Sequence, residues 1–170
     1  MNLFKDAEGR TNWPEILTIV LLVGVISALA AVAVNSARSK QRDATRLSQV
    51  RQLQSALEDY FGTTNAYPVG EALPIGDAAV SACLAGGGFA GDCTGEKDIF
   101  LRVVRGTVDI GLKGLNACGT PARNAFCYTQ RKGGDDYAIQ FELENALPET
   151  GLVKGVNCAT PQGMVGGVCR

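Results

Sequence analysis

Residues 15–61 read EILTIVLLVGVISALAAVAVNSARSKQRDATRLSQVRQLQSALEDYF, and this stretch decides the architecture. It opens on one carboxylate, Glu15, and then runs for nineteen residues, Ile16 to Val34, without a formal charge. As a helix that run covers about 28 Å at ~1.5 Å per residue, close to the ~30 Å hydrocarbon core of a bilayer. No Gly or Pro interrupts the chain between Gly24 and Gly62, so the helix is expected to continue into the charged segment. There Ala44, Leu47, Val50, Leu53, Leu57, Tyr60 and Phe61 trace one apolar face at helical spacing, and Gly62 supplies the expected stop. Read as one helix, Glu15 to Phe61 is about 70 Å long. A membrane-length half that needs lipid or other helices is thus joined to a half that needs a covering domain. That pairing implies an assembling subunit rather than an enzyme.

Within the span, Gly24 and Ala28 form a small-xxx-small pair, continued by Ala31. Small side chains let helix backbones approach closely where lipid removes the hydrophobic gain. A secretory signal is the competing reading, with Ala31-Val32-Ala33 as its cleavage site. Its apolar region is usually about 7–15 residues behind a positive leader. Here the run is longer, and the charges of residues 1–10 (Lys5 and Arg10 against Asp6 and Glu8) cancel.

The remaining hundred or so residues suffice for one modest core. A net charge of −1 makes no case for nucleic acid, and the cluster Arg38, Lys40, Arg42, Arg46 and Arg51 reads as a solvated helix face or a headgroup contact. All six cysteines follow residue 82. An even number confined to the expected soluble part suggests disulfides in an oxidising compartment. Several connectivities are open, and sequence-local pairing (Cys83 with Cys93, Cys118 with Cys127, Cys158 with Cys169) is the preferred one. Zinc competes weakly, because no C-x-x-C occurs and the chain has no His. The missing His also removes the usual general base. Asp43, Glu58, Asp59, Asp135 and Asp136 are expected on a solvated helix or in a turn rather than as an acid/base pair, and no cofactor or metal site is expected.

After Gly62 the pattern changes to loops and short strands. Ala85 to Gly95 is a glycine-heavy loop, and Ile99 to Val104 is a strand or a short helix. The clearest element is a hairpin: Ala125 to Gln130, a turn at Lys132-Gly133-Gly134-Asp135, and Tyr137 to Leu143. In it Tyr137, Ile139, Phe141 and Leu143 alternate with polar residues. The amphipathic helix is the obvious cover for that face. The tail, Gly151 to Arg170, is expected to be held by Cys158–Cys169 alone. The fold class is α+β: a long N-terminal helix packed on a small antiparallel sheet, disulfide-braced. Its parts are a leader (1–10), the long helix (11–62, transmembrane about 16–34 and amphipathic about 36–61) and a globular head (63–170).

The run Pro14-Glu15-Ile16-Leu17-Thr18-Ile19-Val20-Leu21-Leu22-Val23-Gly24-Val25-Ile26-Ser27-Ala28-Leu29-Ala30 resembles the N-terminal helix of type IV pilins and type II secretion pseudopilins. Those proteins carry a Glu at the fifth mature position, a Gly nine residues on and an Ala-rich end, and Glu15 and Gly24 match. The segments 35–44 and 51–61, with Ala66-Tyr67-Pro68, are also similar to pseudopilin sequence. The likeness is specific over residues 14–68 and architectural beyond. It implies a single-pass protein of the cytoplasmic membrane, its head outside, trimmed and N-methylated by a prepilin peptidase. The pilus or secretion machinery would then draw it into an extracellular filament of like subunits. It further implies that Glu15 neutralises a neighbour's N-terminal amine, since a carboxylate in a dry bundle needs a partner, while Gly24, Ala28 and Ala31 pack between helices.

The sequence departs from the family around the cleavage site. Counting back from Glu15, the first mature residue is Thr11, preceded by Arg10, with Gly9 one place earlier than the family's Gly. Trp13-Pro14 is atypical, although Pro is tolerated in a first helical turn. The five basic residues after the span, read by the positive-inside rule, point the head to the cytoplasm. The cysteines and the resemblance point it outside. A non-polymerising, signal-anchored surface protein with a ligand-binding head is the alternative.

Overall fold

A computed structural model describes residues 13–102 and 111–170. The leader region with Gly9, Arg10 and Thr11 lies outside the described residues, as do positions 103 and 104 of the segment expected as a strand or short helix over Ile99 to Val104. The chain divides into two compact units, Met1–Arg38 and Ser39–Arg170. One helix, α1 (Trp13–Thr64), supplies residues to both.

The helix passes through Gly62, which corrects the expected stop. It closes at Asn65, whose φ of 56° is left-handed and whose N–H donates to Phe61 O at 2.8 Å. Asn tolerates this conformation and here takes the position glycine usually fills.

In the second unit, β1 (Leu73–Ile75), β7 (Phe126–Arg131), β8 (Asp136–Leu143), β9 (Gly155–Thr160) and β10 (Gly163–Gly166) form an antiparallel sheet in the order β1-β7-β8-β9-β10. A smaller sheet holds β2 (Cys83–Ala85), β3 (Gly88–Ala90) and β4 (Ile99–Arg102) in the order β3-β2-β4, and β5 (Ala117–Cys118) pairs with β6 (Arg123–Asn124). The class is α+β with antiparallel sheets. The loop expected at 85–95 contains strand β3, because Gly86-Gly87 turns the chain back on β2.

The β7–β8 hairpin turns through Lys132–Gly134, where all three residues have positive φ. At Gly134 a side chain is excluded twice over: φ is +112°, and a Cβ would stand 3.0 Å from that of Ala66. Gly134 O accepts the Tyr67 N–H at 2.8 Å, which ties the exit from α1 to the hairpin.

Residues Tyr137, Ile139, Phe141 and Leu143 of β8 are buried together with Val50, Leu53, Ala56, Leu57 and Tyr60 of α1. Aromatic rings finish the upper layer, with Tyr67 edge-on to Tyr137 at 4.7 Å and Phe89 edge-on to Tyr128 at 5.0 Å. Burial pushes the Tyr128 and Tyr137 hydroxyls well above the ordinary tyrosine range. The Tyr128 hydroxyl finds a partner in Pro68 O at 2.6 Å.

The buried stripe of α1 differs from the one expected. Ala44 is exposed and Leu47 and Phe61 are half-buried, whereas Asp43 and Arg46 are each only 1% exposed. Positions 43, 46, 50, 53, 57 and 60 alternate steps of three and four, so the buried face continues past Val50 through charged residues.

The tail also departs from expectation. Besides the Cys158–Cys169 bridge, residues 155–160 and 163–166 pair into the main sheet, with Ile139 opposite Ala159 and Cys158 opposite Val165. The other two bridges are Cys83–Cys93 and Cys118–Cys127, so all three pairs are sequence-local. The sheet face turned away from α1 is covered in part. Asn116 donates to Ala125 O and Gln140 O at 2.6 and 2.7 Å, and buried Glu142 accepts the N–H groups of Lys113 and Leu115 at 2.7 and 3.0 Å.

Candidate functional site

The described part of the first unit presents a mainly apolar surface. Leu17, Val20, Leu21, Leu22, Val23, Val25, Ile26, Leu29 and Val32 are each more than half exposed. The most apolar eighteen-residue window of α1 has a mean hydropathy of 2.8 and none of it is buried, so the helix is long and apolar enough to cross a membrane. Its hydroxyls are satisfied within the helix: Thr18 donates to Pro14 O at 2.8 Å and Ser27 to Val23 O at 2.7 Å. Polar groups that bond to their own backbone do not oppose transfer into lipid.

The residues singled out from the sequence fall on two sides of this helix. At about 100° per residue, Gly24, Ala28 and Ala31 lie within a sector of about 60° and form one stripe. A Cβ at Gly24 would meet nothing within 4 Å. Glu15, exposed in the first turn, is nine residues before Gly24 and points to the opposite side.

In the second unit a polar clamp fixes the head to α1, and this corrects the reading of Arg42 and Arg46 as solvated, whereas Arg38, Lys40 and Arg51 are exposed. Arg42 donates through Nε and Nη2 to the two oxygens of Glu144 at 2.7 and 2.6 Å. Arg46 Nη1 donates to Glu144 Oε1 and to Asp43 Oδ1, both at 2.8 Å. Asp43 in turn accepts the backbone N–H groups of Glu144 and Asn145 at 3.0 and 2.9 Å and the Asn145 amide at 2.8 Å. The hydrogen bond from Arg42 holds the Glu144 carboxyl below the usual carboxylate range against the opposing effect of burial, and the hydrogen bond from Arg46 and the charges of both arginines add to the lowering.

Among the other carboxylates, Glu58 accepts the Tyr67 hydroxyl at 3.0 and 2.9 Å, and Asp136 is buried beside Lys132 Nζ at 3.3 Å. Asp43 and Asp136 are therefore not solvated, contrary to expectation. Asp43, Glu58, Asp136 and Glu144 thus each have a structural partner close by, and among the described residues no group of three or more His, Cys, Asp or Glu could hold a metal ion.

Neither a protein-family model, nor a curated protein, nor a solved structure matches this chain significantly.

Proposed function

We propose that this chain is a structural subunit of the pilin or pseudopilin kind, held in the cytoplasmic membrane by residues 16–34 and assembled with like subunits through the same helix. The reading rests on one observation: the apolar half of α1 is uncovered over a membrane-length window, while the other half of that helix is built into the core of a disulfide-braced head. Such a helix surface is satisfied either by lipid or by neighbouring copies, so one surface serves both the membrane-held and the assembled state. The stripe of Gly24, Ala28 and Ala31 permits close helix approach, and Glu15, on the opposite side, addresses a second neighbour. The three bridges fit a head outside the cytoplasm. Processing near Gly9, Arg10 and Thr11 by a prepilin peptidase, with methylation of the new N-terminus, belongs to the same proposal.

The test is to produce the chain with a pilin-type assembly system and examine sheared cell surfaces by electron microscopy. Gly24→Leu and Glu15→Ala are expected to reduce filaments while the head keeps its disulfides. Normal filaments with both changes overturn the role of this helix. Mass spectrometry of the N-terminus supplies the second readout, a methylated residue 10 or 11 being the expected result.

A further inference from the structure

The two edges of the five-stranded sheet are treated differently. At the β1 edge the central residue is Pro74, which has no N–H to offer, and its carbonyl is taken by Ser81 Oγ at 2.5 Å. Gly76 N–H is taken by Ser81 O at 3.2 Å. Proline and a covering loop are standard ways of closing an edge. The β10 edge has no proline, and the 151–153 loop that packs on Gly166 takes none of its backbone groups.

The open groups of β10 follow from its register. Gly167 N–H donates to Val156 O at 3.0 Å, which marks that pair as hydrogen-bonded. Alternation along an antiparallel ladder then makes Val165–Cys158 a bonded pair and turns the N–H and C=O of Met164 and Gly166 away from β9. Among the described residues nothing bonds these four outward groups, and no strand lies beyond β10. Gly163, Val165 and Gly166 are exposed, and residues 160–168 carry no charge. A neutral, glycine-bounded edge with donors and acceptors two residues apart specifies the chemistry of what completes it: another extended backbone.

We propose that β10 is a docking edge for an extended, uncharged segment of a partner protein, which adds to the sheet as a sixth strand through Met164 and Gly166. Neutrality favours an uncharged segment, since residues 160–168 offer no charge to compensate one brought against them. The exposed Val165 side chain favours a β-branched residue beside it. A second copy of β10 is disfavoured by symmetry. Antiparallel pairing of two identical strands needs a two-fold axis normal to the sheet, which reverses the helix lying across that sheet. Subunits assembled with parallel α1 helices do not admit that operation, and this step rests on the filament reading.

The experiment uses the full chain in detergent and a capped hexapeptide of alternating Val and Thr, followed by amide hydrogen exchange. At millimolar peptide, exchange at Met164 and Gly166 is expected to slow by about tenfold, with no slowing from the same peptide N-methylated at alternate residues. Met164→Pro removes an outward N–H and no bond to β9, at the cost of the Met164 side chain that packs on the core, so β9 protection is retained and the peptide effect, read at Gly166, is lost. Val165→Lys, which puts a charge on the edge without touching the backbone, is the second variant and gives the same loss. No slowing at millimolar peptide, or equal slowing in both variants, overturns the proposal. Concentration-dependent protection of Met164 and Gly166 without peptide overturns the choice of occupant in favour of a second copy. Filaments are not needed for this readout, so Gly24→Leu leaves it unchanged even where it abolishes assembly.

Discussion

Arg46 and Glu144, 98 residues apart in sequence, meet at 2.8 Å with side chains only 2% and 9% exposed. The contact locks the amphipathic half of α1 to the end of β8, and Asp43 completes it by accepting the backbone of residues 144 and 145. Arg46→Ala leaves two carboxylates facing each other without their shared cation. Breaking a buried pair from one side costs about 3–5 kcal/mol, so urea unfolding is expected to show a loss of that size. A loss below about 1 kcal/mol would place the cluster with ordinary surface ion pairs.

Acid acts on the same contact. Glu144 has its folded pKa below the ordinary value of 4.5, chiefly through the hydrogen bond from Arg42. A depressed carboxylate contributes stability that is complete above its unfolded pKa and disappears as pH falls through the folded one. The window therefore lies below about pH 4.5. Glu144→Gln should flatten the dependence of unfolding midpoint on pH in that window and lower the plateau above it. A variant that retains the wild-type acid slope would assign the slope to other carboxylates.

The register of the buried face is tested by two substitutions on α1. Leu53 is 1% exposed in the centre of the core, and truncating it to Ala is expected to cost about 2–5 kcal/mol. Ala44 is exposed, so Ala44→Lys should stay within about 0.5 kcal/mol. Thermal unfolding of both variants checks this, and reversed magnitudes would rotate the helix on the sheet.

The last strands provide a third structural test. Because β9 and β10 pair with each other and β9 with β8, removing Cys158–Cys169 by Cys158→Ala and Cys169→Ser should leave the amides of β9 protected. Global stability is expected to fall by about 2–4 kcal/mol. Loss of all protection at Val156 to Thr160 would mean that the bridge alone holds the tail.

How much of this was legible in the sequence depends on which signal each residue carries. The hairpin was readable, because Tyr137, Ile139, Phe141 and Leu143 alternate and Lys132-Gly133-Gly134 marks a turn. Local cysteine spacing was readable too. The start of the buried stripe of α1 is illegible in the sequence because hydrophobicity is the signal and Asp43 and Arg46 have none; only the partner residues around Glu144, far along the chain, satisfy them on burial. The 3-4-3-4-3 spacing that includes positions 43 and 46 is the clue that would have found them. Strands β9 and β10 were hidden by glycines, whose pairing is dictated by neighbouring strands rather than by their own propensity. Gly62 has the residue type of a helix stop, whereas the left-handed residue is Asn65.

The two sides of the membrane-length helix lead to the last prediction. Glu15 and Gly24 are nine residues apart, about 13 Å along the axis, and point in opposite directions. If each meets a different neighbouring helix, their effects on association are independent. Changes at sites that share no partner add within about 0.3–0.5 kcal/mol. The association free energy of the full chain in detergent, measured by sedimentation equilibrium, should therefore fall in Glu15→Ala/Gly24→Leu by the sum of the single losses. A double variant no worse than the poorer single variant would mean that both residues act on the same contact, and the two-neighbour arrangement would fail.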